Sequence, residues 1–244
     1  MVYSGSPRKA LWWEPDMVLY STGAQSNYQN GVLRARFTSK NMATRVDEAL
    51  TYFKRRRLPM VWWVDPWSTP TELGDFLKGQ GLTPEWEVPC MAIDLATMRR
   101  KPLPARLTIH PVENLESLEI CVATADRGFD RGRKIRNDRW RETYTGVGLS
   151  PTKRWFTGFL DEKPVASSLL LLQNGLATVW IVTTLRRARG RGIGTAMTRE
   201  PLMLAKELGY DIAVIQSSKM GLPVYKKMGF KEYCRIRTYF WKPK

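Results

Sequence analysis

The sequence predicts an α/β (α+β) fold made of two similar halves, and three observations carry that expectation. Residues 179–184 (Val-Trp-Ile-Val-Thr-Thr) are β-branched or aromatic throughout, and glycines at 190, 192 and 194 follow before helical periodicity sets in. After that helix, Asp211-Ile-Ala-Val-Ile-Gln216 reads as a second buried strand. The order strand, helix, strand, helix, strand over residues 177–241 is then found again over residues 31–95.

From the N-terminus, Trp12-Trp13 and residues 17–20 read as a strand or a packed flap, and Asn30-Gly31 as a turn. Residues 31–37 alternate apolar and basic side chains, as a half-exposed strand does. Thr44 with Asp47 predicts a helix cap. Val46, Ala49, Leu50 and Phe53 then fall on one helical face, and Lys54-Arg-Arg-Arg57 ends the helix favourably for its dipole. Residues 59–65 read as a buried strand, 71–81 as a second helix and 86–95 as a strand. Residues 96–105, charged and carrying Pro102 and Pro104, read as a linker, which sets two domains at 1–95 and 106–244.

In the second half, residues 106–109 read as a strand, and His110, the only histidine, is given a structural or solvated role at its end. Leu115, Leu118 and residues 120–122 predict a helix, and residues 155–160 and 165–172 a hairpin across Asp161-Glu162-Lys163. Pro201 lies inside the helix after the glycines and is expected to kink it.

A hydrophobic fraction of 43% with 25% charged residues is that of a folded globular chain. The three cysteines are scattered without a C-x-x-C pair, which argues against a disulfide framework or a zinc site and suits a reducing cytoplasm. No apolar run has membrane-spanning length and the first residues lack a signal-peptide core, so a cytoplasmic setting is expected. The net charge of +16 is uneven, because residues 105–244 carry 25 Lys and Arg against 13 Asp and Glu. Such a surface favours a phosphate-bearing partner.

The glycines give that partner a place. A strand that feeds a glycine-rich turn into a helix leaves the first helical amides unpaired at the positive end of the dipole. Arg189 and Arg191 add charge for a diphosphate, and Gly190, Gly192 and Gly194 let the backbone approach it. The glycines are one residue short of the dinucleotide spacing G-x-G-x-x-G, and no Gly-Lys-Ser/Thr follows as in a nucleotide triphosphate loop.

The pattern that fits is R-x-x-G-x-G, as Arg189, Gly192 and Gly194, followed downstream by Y-x-x-x-G-F, as Tyr225, Gly229 and Phe230. In this order and on these elements the two motifs resemble the GNAT acetyltransferase superfamily. The resemblance implies a mixed, mostly antiparallel, splayed sheet flanked by helices, and acetyl-CoA as acyl donor. It implies that backbone near Ile181, Val182 and Thr183 pairs with pantetheine, that the amides of Arg189, Gly190, Arg191, Gly192, Ile193, Gly194 and Thr195 hold the diphosphate, and that Tyr225 is the general acid. A phenol suits that step by its proton affinity, comparable to that of a departing thiolate. Ser217 stands, with Ser218, where the family often has a cofactor-contacting polar residue, although no asparagine is present.

Two departures accompany the resemblance. Residues 177–185 hold no acidic side chain where many relatives place a base, which leaves Asp130 and Glu142 as the candidates. Residues 38–45 hold no glycine, so the N-terminal half looks like a degenerate GNAT-like copy in a tandem arrangement, even though Lys78-Gly-Gln-Gly-Leu82 mirrors Lys226-Lys-Met-Gly-Phe230. The expected function is acetyl transfer to an amine of a small molecule or peptide, with Trp62, Trp63 and Trp67 as candidate walls of the acceptor cleft. Monomer and homodimer both stay open. The alternatives are a non-catalytic CoA-binding regulatory module and a nucleic-acid-binding protein using residues 127–141; neither accounts for the glycine loop and Tyr225 together.

Overall fold

The computed structural model describes residues 10–129 and 144–243. The chain divides into two units, Met1–Pro89 with Cys234–Lys244, and Cys90–Tyr233.

In the first unit, β1 (Ala10–Trp13), β2 (Val18–Ser21) and β3 (Asn30–Leu33) form an antiparallel meander. The connection from β3 to β4 (Met60–Val64) runs through helix α1 (Met42–Arg55), so β3 and β4 pair in parallel, Gly31 with Val61 and Val32 with Trp62. The apolar face of α1 is the one its periodicity predicts: Val46, Ala49, Leu50 and Phe53 are fully buried. The helix begins two residues before Thr44, because the Asn41 side-chain oxygen accepts from the Thr38 amide at 2.8 Å and from its hydroxyl at 3.0 Å, closing the preceding turn. Helix α2 (Leu73–Gly79) adds Leu73 and Leu77 to the same core, beside Trp62.

The Cys90–Tyr233 unit is an open sheet. Its strands are β6 (Val88–Asp94, from residue 90), β7 (Leu107–Pro111), β8 (Lys153–Leu160), β9 (Lys163–Gln173), β10 (Leu176–Thr184) and β11 (Ile212–Gln216). The order is β6-β11-β10-β9-β8-β7, antiparallel except between β10 and β11. Side chains alternate between two layers. Helix α3 (Leu115–Gly128), started by an Asn114–Ser117 capping box, packs Leu118, Cys121 and Val122 on Trp155 and Leu169. On the other face, α4 (Ile193–Glu207) and α5 (Leu222–Met228) cover Leu170, Leu172, Val179 and Ile215. Helix α4 continues through the buried Pro201.

The repeated order is visible in the structure: β3-α1-β4-α2-β6 matches β10-α4-β11-α5-β12, where β12 is Lys231–Trp241, and each series opens with a parallel strand pair joined by a helix. The last strand of each series pairs with the other series. Residues 237–241 of β12 lie antiparallel to β4, with the short strand β5 (Thr83–Pro84) also on β12, while residues 90–94 of β6 lie antiparallel to β11. The unit bounds therefore fall at 89 and 233, not at the 95 and 106 read from the sequence.

The segment read as a linker is packed. Leu95 and Met98 are buried in the core, and side chains of α4 fasten residues 96–101. The Lys206 ammonium donates to the carbonyls of Ala96 and Met98, both at 3.2 Å, and the Arg199 guanidinium donates to the Lys101 carbonyl at 3.3 Å. Arg100 pairs with Glu200 and Glu207. Charged, proline-bearing composition resembles a solvated linker, but here the charges clamp the segment to a helix.

Candidate active site

The paired register of β10 and β11 covers three residue pairs and ends at Thr178 with Val214, which leaves the β11-side edge of residues 179–184 open. On its other side β10 takes in one extra residue: Trp180 faces Leu169, and Thr183 faces Ser167. The bulge forces Ile181 to φ +55°, a conformation costly for a β-branched residue, by about 1–3 kcal/mol. Ser167 holds it from both sides. Its hydroxyl donates to the Ile181 carbonyl at 3.2 Å and lies 3.1 Å from the Thr183 hydroxyl.

The glycine loop leads from β10 into α4. Gly190 and Gly192 sit at φ +78° and +75°, which only glycine adopts without strain, and Gly192 is the residue before the first helical turn. The amides of Ile193, Gly194 and Thr195 have no acceptor within the helix, whose first bond runs from Ala196 to the Gly192 carbonyl at 3.1 Å. Arg189 is engaged with backbone. Its guanidinium donates to the Thr184 carbonyl at 3.0 Å and to the Gly128 carbonyl at 2.9 Å. Arg191 is exposed.

Tyr225, on α5, is 8% exposed and its ring lies 5.8 Å from that of Phe230. The ring also rests on the chain at Gly221, where a Cβ would come within 2.7 Å of it. Burial pushes the phenol up to about 12, against a smaller opposing effect of its hydrogen bond with the Thr198 hydroxyl. That hydroxyl in turn donates to the Gly194 carbonyl at 2.9 Å, which links the phenol to the loop.

Loop, bulge and phenol meet in one cavity of about 1,020 Å³ within the Cys90–Tyr233 unit. Val182, Thr183, Arg189, Gly190, Gly192, Ile193, Gly194, Thr195 and Tyr225 line it, as the sequence groups them. Ile181, Arg191 and Ser217 are not among its lining residues; Ser217 is buried, its hydroxyl donating to the Ser218 carbonyl at 2.9 Å, and Ser218 lines the cavity instead. Sequence reasoning misses Arg99 and Lys101, which read as linker, and Arg199 and Lys227. Together with Arg189, five cationic side chains face this space, and no carboxylate or imidazole stands among the described lining residues. Such a cavity attracts anions.

The other sequence candidates lie elsewhere. His110 falls within β7, exposed, with Nε2 3.0 Å from the Thr108 hydroxyl. Asp130, Glu142 and most of the basic stretch 127–141 are outside the described residues. Trp62 is fully buried in the first unit's core and lines no cleft; Trp63 is half-buried with its indole N–H donating to the Tyr20 hydroxyl at 2.9 Å, and Trp67 is exposed. Among the described residues no cluster of His, Cys, Asp or Glu has the grouping to hold a metal, and no helix is long and apolar enough to cross a membrane.

Residues 120–230 match the family model of the acetyltransferase (GNAT) family. No curated protein matches the sequence. In structure the chain is similar to a GCN5-related N-acetyltransferase from Kribbella flavida, at a TM-score of 0.74 and 16% identity, over 97% of this chain and 90% of that one. It is similar to a GCN5-related N-acetyltransferase from Sphaerobacter thermophilus, at 0.71 and 16%, over 94% and 81%. A tandem GNAT protein from the clavulanic acid biosynthesis pathway aligns at 0.63 and 15%, over 99% and 81%. At these identities the likeness is one of fold, and it extends to the N-terminal half. Residues 120–230 thus carry the match to the acetyltransferase (GNAT) family model, within a chain that is GNAT-like in fold in its N-terminal half as well.

Proposed function

We propose that the Cys90–Tyr233 unit transfers an acetyl group from acetyl-CoA to an amine on a small-molecule or peptide acceptor. The observation that carries this reading is the single cavity lined by the glycine loop, the open edge of β10 at its bulge, and Tyr225. The lining fits the donor: free amides and cations for phosphates, an unpaired strand edge for the amide-bearing pantetheine arm, and a volume in keeping with a large ligand.

The donor supplies an activated thioester. The amides of Ile193, Gly194 and Thr195 and the positive end of α4 hold the diphosphate. The open backbone of Val182 and Thr183, which line the cavity, orients the acyl arm, and a strand amide there polarises the carbonyl as the amine attacks. Tyr225 faces the departing sulfur. With its phenol pushed up to about 12 it is a weaker acid than a free thiol, near 8.5, contrary to the matched affinity expected from the sequence. It therefore acts as a hydrogen-bond donor that keeps its proton throughout the neutral range, while solvent takes the proton the attacking amine sheds and completes the protonation of the thiolate as the C–S bond breaks. The N-terminal half, whose connection from β3 to α1 holds no glycine, lacks such a cradle and is read as the degenerate copy. The cytoplasm remains the expected setting, in keeping with three free cysteines.

Thiol release from acetyl-CoA in the presence of a panel of amines tests the proposal. Turnover that falls about 10–100-fold in Tyr225→Phe, with little change in donor KM, supports it. One observation favours a second reading, a CoA-binding regulatory module: no carboxylate or imidazole is among the described lining residues. Donor binding without turnover on any amine would select it.

A further inference from the structure

We propose that Lys101, with Lys227, forms a second anion subsite in this cavity that reads the ribose 3′-phosphate of the donor. The inference rests on the acyl-coenzyme A reading and assigns a function to the segment between residues 96 and 104. That segment is built as a wall. Lys206 and Arg199 hold its carbonyls, Arg100 anchors it to Glu200 and Glu207, and Met98 plugs it into the core. Its far end abuts the phosphate loop, since a Cβ on Gly192 would lie 3.6 Å from Cγ of Pro104.

The disposition of charge separates this subsite from the diphosphate cradle. Among the cations lining the cavity, Arg189 is committed to the carbonyls of Thr184 and Gly128. Arg199 is buried against Glu200 and the Lys101 carbonyl, and Arg99 donates to the carbonyls of Ala96 and Met98. Lys101 and Lys227 remain, both exposed and lining the cavity, with no ion pair among the described residues. The diphosphate is already provided for by helix amides and dipole, so two uncommitted ammonium groups call for a further dianionic group. A phosphate monoester carries about −1.5 to −2 at neutral pH, and lysine binds it as a point charge.

The test is a cycle in which the ligand is one of the two changes. Full-length protein is titrated calorimetrically with acetyl-CoA and with its 3′-dephospho analogue, as wild type and as the Lys101→Ala, Lys227→Ala double variant. Wild type is expected to prefer acetyl-CoA by about 30-fold, the double variant by less than about threefold, with affinity for the dephospho analogue changed less than about twofold. Equal binding of both donors by wild type, or a double variant that weakens both by the same factor, would overturn the subsite while leaving the donor assignment standing. Failure of wild type to bind either donor would overturn both. Because the wild-type comparison needs no variant, it does not depend on the lysine substitutions folding.

Discussion

The Arg189 guanidinium donates to the Gly128 carbonyl at 2.9 Å, so one side chain ties the glycine loop to the end of α3, while its second bond, at 3.0 Å to the Thr184 carbonyl, ties it to β10. A planar guanidinium makes both bonds at once from two nitrogens, and a single ammonium does not reproduce that fork. Arg189→Lys is expected to behave like Arg189→Ala, each losing about 1–3 kcal/mol in chemical denaturation and weakening donor binding. If lysine restored binding, the charge and not the tie would be what matters.

Gly128 meets β10 so closely that a Cβ would fall 2.5 Å from the Thr183 hydroxyl and 2.7 Å from its Cβ. Gly128→Ala is therefore expected to lose about 1–3 kcal/mol by overpacking. Thr183→Ser in the same background keeps both offending atoms and should give no relief. A rescued melting temperature would show that the Thr183 methyl, and not these two atoms, makes the clash.

The bulge carries its own prediction. Ser167→Ala removes the hydroxyl that bonds the Ile181 carbonyl and faces Thr183, leaving a strained residue without its clasp. About 1–2 kcal/mol of stability should go, and turnover should fall more than donor affinity does. Parallel denaturation and steady-state kinetics check both parts. An unchanged kcat would detach the bulge from the chemistry.

Tyr225 fixes an alkaline signature. Its folded phenol titrates at about 12 against about 10 unfolded, so between those values the native state binds more protons than the unfolded one and stability falls as pH rises. The contribution is complete below pH ~10 and up to about 3 kcal/mol of it is lost on reaching pH ~12. Tyr225→Phe should flatten that part of the stability profile. Cys121, pushed from 9.0 to about 12 by burial, adds a decline that begins nearer pH 9 and survives in Tyr225→Phe.

Much of this fold is readable in the chain. The stripe Val46, Ala49, Leu50 and Phe53 identifies α1 because burial and helical period agree, and the glycine loop and Tyr225 carry motifs whose chemistry is local. Strand partnership is not local. Nothing in the alternation within β6 or β12 says that each pairs with the other series, and that exchange shifts the unit bounds. Residues 96–104 mislead for a different reason: lysine, arginine and proline read as solvated, and only tertiary structure shows Lys206, Arg199 and Arg100 used as fasteners. Arg189 reads as a phosphate ligand on charge, whereas its bonds to two carbonyls belong to geometry that sequence does not display.

Gly194 offers the most direct test of the central claim, that the cavity at the glycine loop holds the acyl donor. It lines the cavity at an ordinary φ, and a Cβ there would meet only the Thr184 hydroxyl, at 3.7 Å, so Gly194→Asp places bulk and negative charge in the cradle with little backbone strain. The measurement is calorimetric titration of wild type and Gly194→Asp with acetyl-CoA, with melting temperatures in parallel. The account predicts that wild type binds, that the variant binds more than about tenfold more weakly, and that both melt alike. Equal affinity in the two, or no binding by wild type, would contradict it.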